Sequence, residues 1–307
     1  MKISTAFFYD RATRNIGDAQ LRLSTTQAKL ASGKQLAAPS EAPDQALGIE
    51  RLRASVEHQE ALGGQLRSVQ SRLSAEETAL GAANGLMIRM KELLIAASND
   101  PFNADNRTAM SREMELLREE LLTLANTRDN RGQYVFAGSA VGEPPFVADA
   151  SGQITYRGDQ TAAWVRSGEQ QIVQFNRPGN EAFVRATRQT DQGDVGVAFF
   201  DVIDDAIDAI GQGDQDLLRR GIGEMDALLR GNELALVRSG ADQKIIENQT
   251  DQIEDRVLLL KTLQSDLEDL DYADAISRMN QEMNALQAAM SSFGKVSQLT
   301  LFNVIDV

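Results

Sequence analysis

LRSVQSRLSAEETALGAANGLMIRMKELLIAA, residues 66–97, is the stretch that decides the fold. Within it Leu66, Val69, Leu73, Leu80, Ala83, Met87, Met90, Leu94 and Ala97 recur at steps of three and four, the spacing of a seam between helices. Glu76 is the one polar intruder on that stripe. As continuous helix the stretch reaches about 48 Å, a rod rather than an element of a globule. Ser98-Asn99-Asp100-Pro101 breaks it, and Met110, Met114, Leu117, Leu121 and Leu124 rebuild the seam, which predicts a short-looped antiparallel pair of helices.

Moving outward, both extremities use the same spacing. Tyr9, Ala12, Ile16, Ala19, Leu23, Thr26 and Leu30 form one stripe, closed by Gly33, which suits the left-handed end of a helix. Pro39 and Pro43 make residues 37–44 a link, with Ser40 or Asp44 placed to cap the next helix. At the other end Ile246, Gln249, Ile253, Leu260, Leu263, Leu267 and Leu270 hold one phase. After a slip at Asp271 to Asp274, the residues Ile276, Met279, Met283, Leu286, Met290 and Phe293 hold another. The amino-terminal stripe has too few large apolar side chains to keep its own helix ordered, so it is expected to order only when partners cover it.

Between the helical halves the period changes near Arg131-Gly132. Tyr134-Val135-Phe136, Gln153 to Tyr156, Ala163-Trp164-Val165 and Gln171 to Phe175 read as short strands, with turns at Gly158-Asp159 and Ser167-Gly168-Glu169. Helical spacing resumes at Phe199, Ile203, Ile207 and Ile210 and continues through Leu218, Ile222, Met225 and Leu229. The expected fold is mainly α with a β insert: a long coiled-coil-like bundle built from both termini, plus a small central β domain. The expected segments are 1–44, an assembly helix and link; 45–132, one half of a helical rod; 133–195, a β-rich outer domain; 196–270, the other half; and 271–307, a second assembly helix.

Composition narrows the function. The chain has 307 residues, 42% of them hydrophobic and 25% charged, with a net charge of −14, which opposes general nucleic-acid binding. There is no cysteine, hence no disulfide, thiolate metal site or thiol nucleophile. The apolar run at Ala6 to Tyr9 is too short for a secretory signal, and no stretch approaches the ~20 apolar residues of a membrane span. On its face the chain looks cytoplasmic, although export without a cleaved hydrophobic signal leaves the same pattern.

Catalysis finds little support. His58 is the only histidine and has no clustered partners, so it reads as a surface residue and no cofactor or metal is expected. Gly211-Gln212-Gly213 and Gly221-Ile222-Gly223 follow no strand and read as helix ends rather than phosphate loops. Asp201, Asp204, Asp205 and Asp208 lie at helical spacing and read as a solvated face. Met279, Met283 and Met290 suit either an adaptable groove or an ordinary seam, and both readings mean contact.

Three regions go beyond generic patterning. Leu30-Ala31-Ser32-Gly33-Lys34-Gln35-Leu36, followed by Ala38 to Ala46, resembles the amino-terminal signature of bacterial flagellins and flagellar hook-associated proteins. Leu270 to Ala275, Leu286 to Ala289 and Ser297 to Leu301 resemble that family's carboxy-terminal segment. Gly132 to Gly138, Pro145-Phe146 and Tyr156-Arg157-Gly158-Asp159 are similar to the hook-filament junction members rather than to flagellins. The resemblance implies a structural, non-enzymatic protein of the extracellular flagellum, exported unfolded through the type III apparatus without a cleaved signal peptide. It implies as partners the hook-side junction protein, flagellin, further copies of the chain and an export chaperone, with no nucleic acid and no membrane insertion. The expected assembly interface is Ile16, Leu23, Leu30, Ile253, Leu260, Leu263, Leu267, Ile276, Met279, Met283, Leu286, Met290 and Phe293, with Leu299 and Leu301 in the last segment. A short flagellin and a cytoplasmic coiled-coil adaptor are the alternatives.

Overall fold

A computed structural model describes the backbone of residues 2–99, 104–166, 172–190 and 193–305, and the side chains of these except 2–6, 8 and 296–305. The helices are α1 (Lys2–Ser32), α2 (Pro43–Asn99), α3 (Ala104–Ala125), a short α4 (Gly179–Ala182), α5 (Phe199–Gln212), α6 (Gln215–Glu268) and α7 (Tyr272–Ile305). The strands are β1 (Phe146–Ala148), β2 (Ile154–Tyr156), β3 (Ala163–Arg166), β4 (Ile172–Asn176), β5 (Ala186–Thr190) and β6 (Gly193–Val197). The chain divides into two units, residues 1–60 with 255–307, and residues 61–254.

The 61–254 unit holds the core. Every residue of the Leu66 to Ala97 stripe is buried, joined by Met114 and Leu121 of α3, Phe200, Ile203 and Ile210 of α5, and Leu218 and Met225 of α6. An aromatic cluster in which Phe183 packs edge-on against Phe136 (5.2 Å between ring centres), Phe146 (5.4 Å) and Phe199 (5.1 Å) belongs to the same core. The strands form three separate antiparallel hairpins, β1–β2, β3–β4 and β5–β6. In β3–β4, Val165 faces Val173 and both are buried, while Trp164 and Ile172 point outward.

Several expectations are corrected. Tyr134 to Phe136 is not a strand: Tyr134 makes an isolated bridge to Arg128, and the segment is buried irregular chain whose carbonyls are bonded by Arg72. β1, β5 and β6 carry too few alternating apolar residues to be read from sequence. Gly213 does close α5, with φ 69° and its N–H donating to the Ala209 carbonyl. Gly221 instead lies inside α6, where a Cβ would lie 3.6 Å from Leu94, so it marks close helix packing rather than an end. The aspartates of α5 are not simply solvated, since Asp204 pairs with Arg118 at 2.5 Å and Asp205 with Arg188 at 2.6 Å. Neither Ser40 nor Asp44 precedes α2 as its cap; Pro43 is its first residue, a position where a missing N–H costs nothing. The expected loop at Asp100-Pro101 and turn at Ser167-Gly168-Glu169 lie outside the described residues.

Glu76, the intruder on the decisive stripe, is fully buried, with Arg177 Nε donating to its carboxylate at 2.8 Å. Arg177 also reaches Asp242 at 3.0 Å. One turn earlier on α2, Arg72 binds Asp129 at 3.1 Å, the carbonyls of Tyr134 and Val135, and Asn176 Oδ1. Burial pushes the Glu76 carboxyl above its ordinary pKa, and Arg177 opposes that shift. This network ties α2 to the segments flanking the hairpins and to α6.

Candidate assembly interface

The unit formed by the chain ends is built differently. Among its described residues only Ala19, Ile49, Val56 and Ala275 are buried apolar side chains. Eleven of the nineteen large apolar side chains found exposed belong to this unit, including Phe7, Leu21, Leu258 and Leu259.

α1 and α7 pack against each other. The α1 stripe from Tyr9 to Leu30 is half-buried along its length, and the Tyr9 ring meets Phe293 edge-on at 5.6 Å. On α7 the covered positions are Ala275, Met279, Glu282, Leu286, Ala289 and Phe293, one position rotated from the seam read in the sequence. Alanines stand at 12, 19, 275 and 289 on the covered faces, and Ile276, Met283 and Met290 face out, each 46% or more exposed. On α6 the covered face runs through Ile253, Val257, Leu260 and Gln264, so Leu263 and Leu267 are also exposed. Of the remaining expected interface residues, Ile16, Leu23 and Leu30 are half-buried, and the side chains of Leu299 and Leu301 lie outside the described residues.

The helix breaks of the two ends are bonded to each other. Gly33 adopts φ +70° after α1, and Asp271 caps α7 by accepting the N–H groups of Ala273 (2.9 Å) and Asp274 (3.2 Å). Between these breaks Gln35 N–H donates to the Glu268 carbonyl at 2.8 Å, and Leu270 N–H donates to that of Gly33 at 2.9 Å. Gln45 Nε2 donates to the Leu267 carbonyl at 3.0 Å, and the Glu268 carboxylate pairs with Lys34 at 2.7 Å and Arg53 at 3.1 Å. Hydrogen bonds from Gln264 and Lys34 hold Glu268 below the usual carboxylate range. The signature around Ser32-Gly33-Lys34-Gln35 is thus a clasp on the 268–270 break. A cavity of about 620 Å³ beside it is walled mainly by Leu36, Ala38, Pro39, Pro43, Ala46 and Leu47.

The other signature residues form a packed corner. The Tyr156 hydroxyl lies 2.7 Å from the Asp159 carbonyl and accepts the Gly179 N–H at 3.1 Å, and a Cβ on Gly179 would meet the Phe146 and Tyr156 rings at 2.7 Å. His58 is exposed. Among the described residues no group of three or more His, Cys, Asp or Glu is placed to hold a metal, and no helix is long and apolar enough to cross a membrane.

Residues 3–141 match the model of the bacterial flagellin N-terminal helical region. The chain is similar to the flagellins and flagellar hook-associated proteins of the bacterial flagellum. Within that class the end-to-end likeness is to flagellar hook-associated protein 3 of Salmonella typhimurium, 25% identical over 99% of each chain. Flagellin A of Vibrio anguillarum is 29% identical but over 46% of this chain and 37% of its own. The fold matches that of Xanthomonas campestris FlgL with a TM-score of 0.62 and 21% identity, over 71% of this chain and 99% of that one.

Proposed function

We propose that this chain is a hook-filament junction subunit that connects the hook, through the other hook-associated junction protein, to the flagellin filament. The observation that carries the reading is the contrast between the two units: one has a full core, while the other, among its described residues, buries four apolar side chains and exposes eleven large ones. Such a pair of ends gains its order and stability when neighbouring subunits cover it. The role is structural rather than catalytic.

Leu263, Leu267, Ile276, Met283 and Met290 are the surfaces offered to neighbours, while Ile16, Leu23, Leu30, Met279, Leu286 and Phe293 hold the terminal pair together. Export unfolded through the type III apparatus, with a chaperone covering the carboxy-terminal stripe beforehand, follows from the family resemblance. Deleting the gene in a motile strain tests the reading: hooks should remain, filaments should vanish and flagellin should accumulate in the medium. Filaments of normal number and length in the deletion strain would refute it. Purified chain should also fail to grow long filaments, which separates it from a short flagellin.

A further inference from the structure

The 61–254 unit carries two exposed helix faces of opposite sign that its own fold leaves uncovered. On α6, Arg230, Leu234 and Arg238 follow at steps of four with Val237 beside them; Leu234 is 51% and Val237 69% exposed. Two exposed arginines around an apolar ridge stand out in a chain of net charge −14, although Arg238 also acts on Asp242 of its own helix. On α3, Leu116 is 68% exposed and is ringed by Glu115, Glu119 and Glu120, all exposed. Neither Arg230 nor any of these three glutamates makes an ion pair among the described residues. A groove of about 480 Å³ beside this α3 face adds Asp208 to Glu115 and Glu119, with Arg118 of the same groove already paired to Asp204.

We propose that the α6 face of one copy docks on the α3 face of a second copy. Leu116 then packs against Leu234 and Val237, while Glu115, Glu119 and Glu120 meet Arg230 and Arg238; the minor charges also match, since Arg112 flanks Leu116 and Glu233 flanks Leu234. Pairing a face with itself would juxtapose like charges, so the contact joins unlike faces, a geometry that can repeat from copy to copy around an assembly. It rests on the assembly reading above and assigns the 61–254 unit a sideways contact independent of the chain ends.

The absence of cysteine makes cross-linking unambiguous. A chain carrying Leu116→Cys and Val237→Cys replaces the native one, flagella are isolated and oxidised, and the products are run without reductant. A ladder extending beyond dimers is expected, whereas each single-cysteine chain gives no more than dimers. Adding Arg230→Glu and Arg238→Glu should abolish the ladder, and further adding Glu119→Arg and Glu120→Arg should restore it. Chain present in flagella without a ladder, or a ladder indifferent to charge reversal, overturns the contact and leaves the junction role standing. Chain missing from flagella when the native face charges are intact overturns both.

Discussion

Arg177→Met should damage the 61–254 unit more than any surface change, because it strips a fully buried carboxylate of its hydrogen-bonded counter-ion. Glu76 is 0% and Arg177 3% exposed, and among the described residues one Glu76 oxygen has no hydrogen-bond partner even in the intact chain. Breaking a buried pair from one side costs about 3 to 5 kcal/mol. For a unit of this size that is roughly 6 to 20 °C in Tm. Glu76→Leu combined with Arg177→Met removes both charges, and Asp242, which is only partly covered, returns to water; the double variant should recover most of the loss. Trp164, the sole tryptophan, lies in this unit, so its fluorescence during urea or thermal unfolding reads the right transition.

The pH dependence has a fixed sign. Burial raises the Glu76 carboxyl, so the folded form binds the proton more tightly than the unfolded one. In Arg177→Met the opposing cation is gone, and the variant should regain stability as pH falls from neutral towards the ordinary glutamate value of about 4.3. A loss under 1 kcal/mol, or a double variant no better than the single, would refute the account of the network.

Three further outcomes are expected. Leu80→Ala, at a fully buried seam position, should lower stability by about 2 to 5 kcal/mol in the same unfolding assay, and an unchanged midpoint would show that α2 is not the core. Gly231→Ala drives a Cβ into a Val184 methyl, so it should cost about 1 to 3 kcal/mol, with Val184→Ala restoring most of it in the same chain. Leu286→Asp and Met283→Asp should both remove the chain from isolated flagella while leaving the Trp164 transition in place, but only Leu286→Asp should expose α1 to limited proteolysis, since Met283 faces away from the pair.

The helical frame was legible because heptad spacing reports burial directly: from Leu66 to Ala97 each apolar position read as seam is buried. What spacing could not report was which side of a helix a small residue faces. Ala275 and Ala289 carry little hydrophobic signal, yet they are covered while Ile276, Met283 and Met290 are exposed. The same limit hid Gly221 within α6. Polar positions were harder still, since Glu76 is matched by Arg177 one hundred and one residues away and no local pattern announces that distance. The strands were half legible: β2, β3 and β4 alternate or carry β-branched and aromatic residues, whereas β6, Gly193-Asp194-Val195-Gly196-Val197, owes its pairing to β5 rather than to its own composition.

At the clasp, two backbone hydrogen bonds and one shared carboxylate sit at the same height on both chain ends. Tension on either end helix is therefore divided between them before it travels further. A coupling subjected to torque gains from that arrangement: neither tail can be peeled back alone while Gly33 and Leu270 remain bonded.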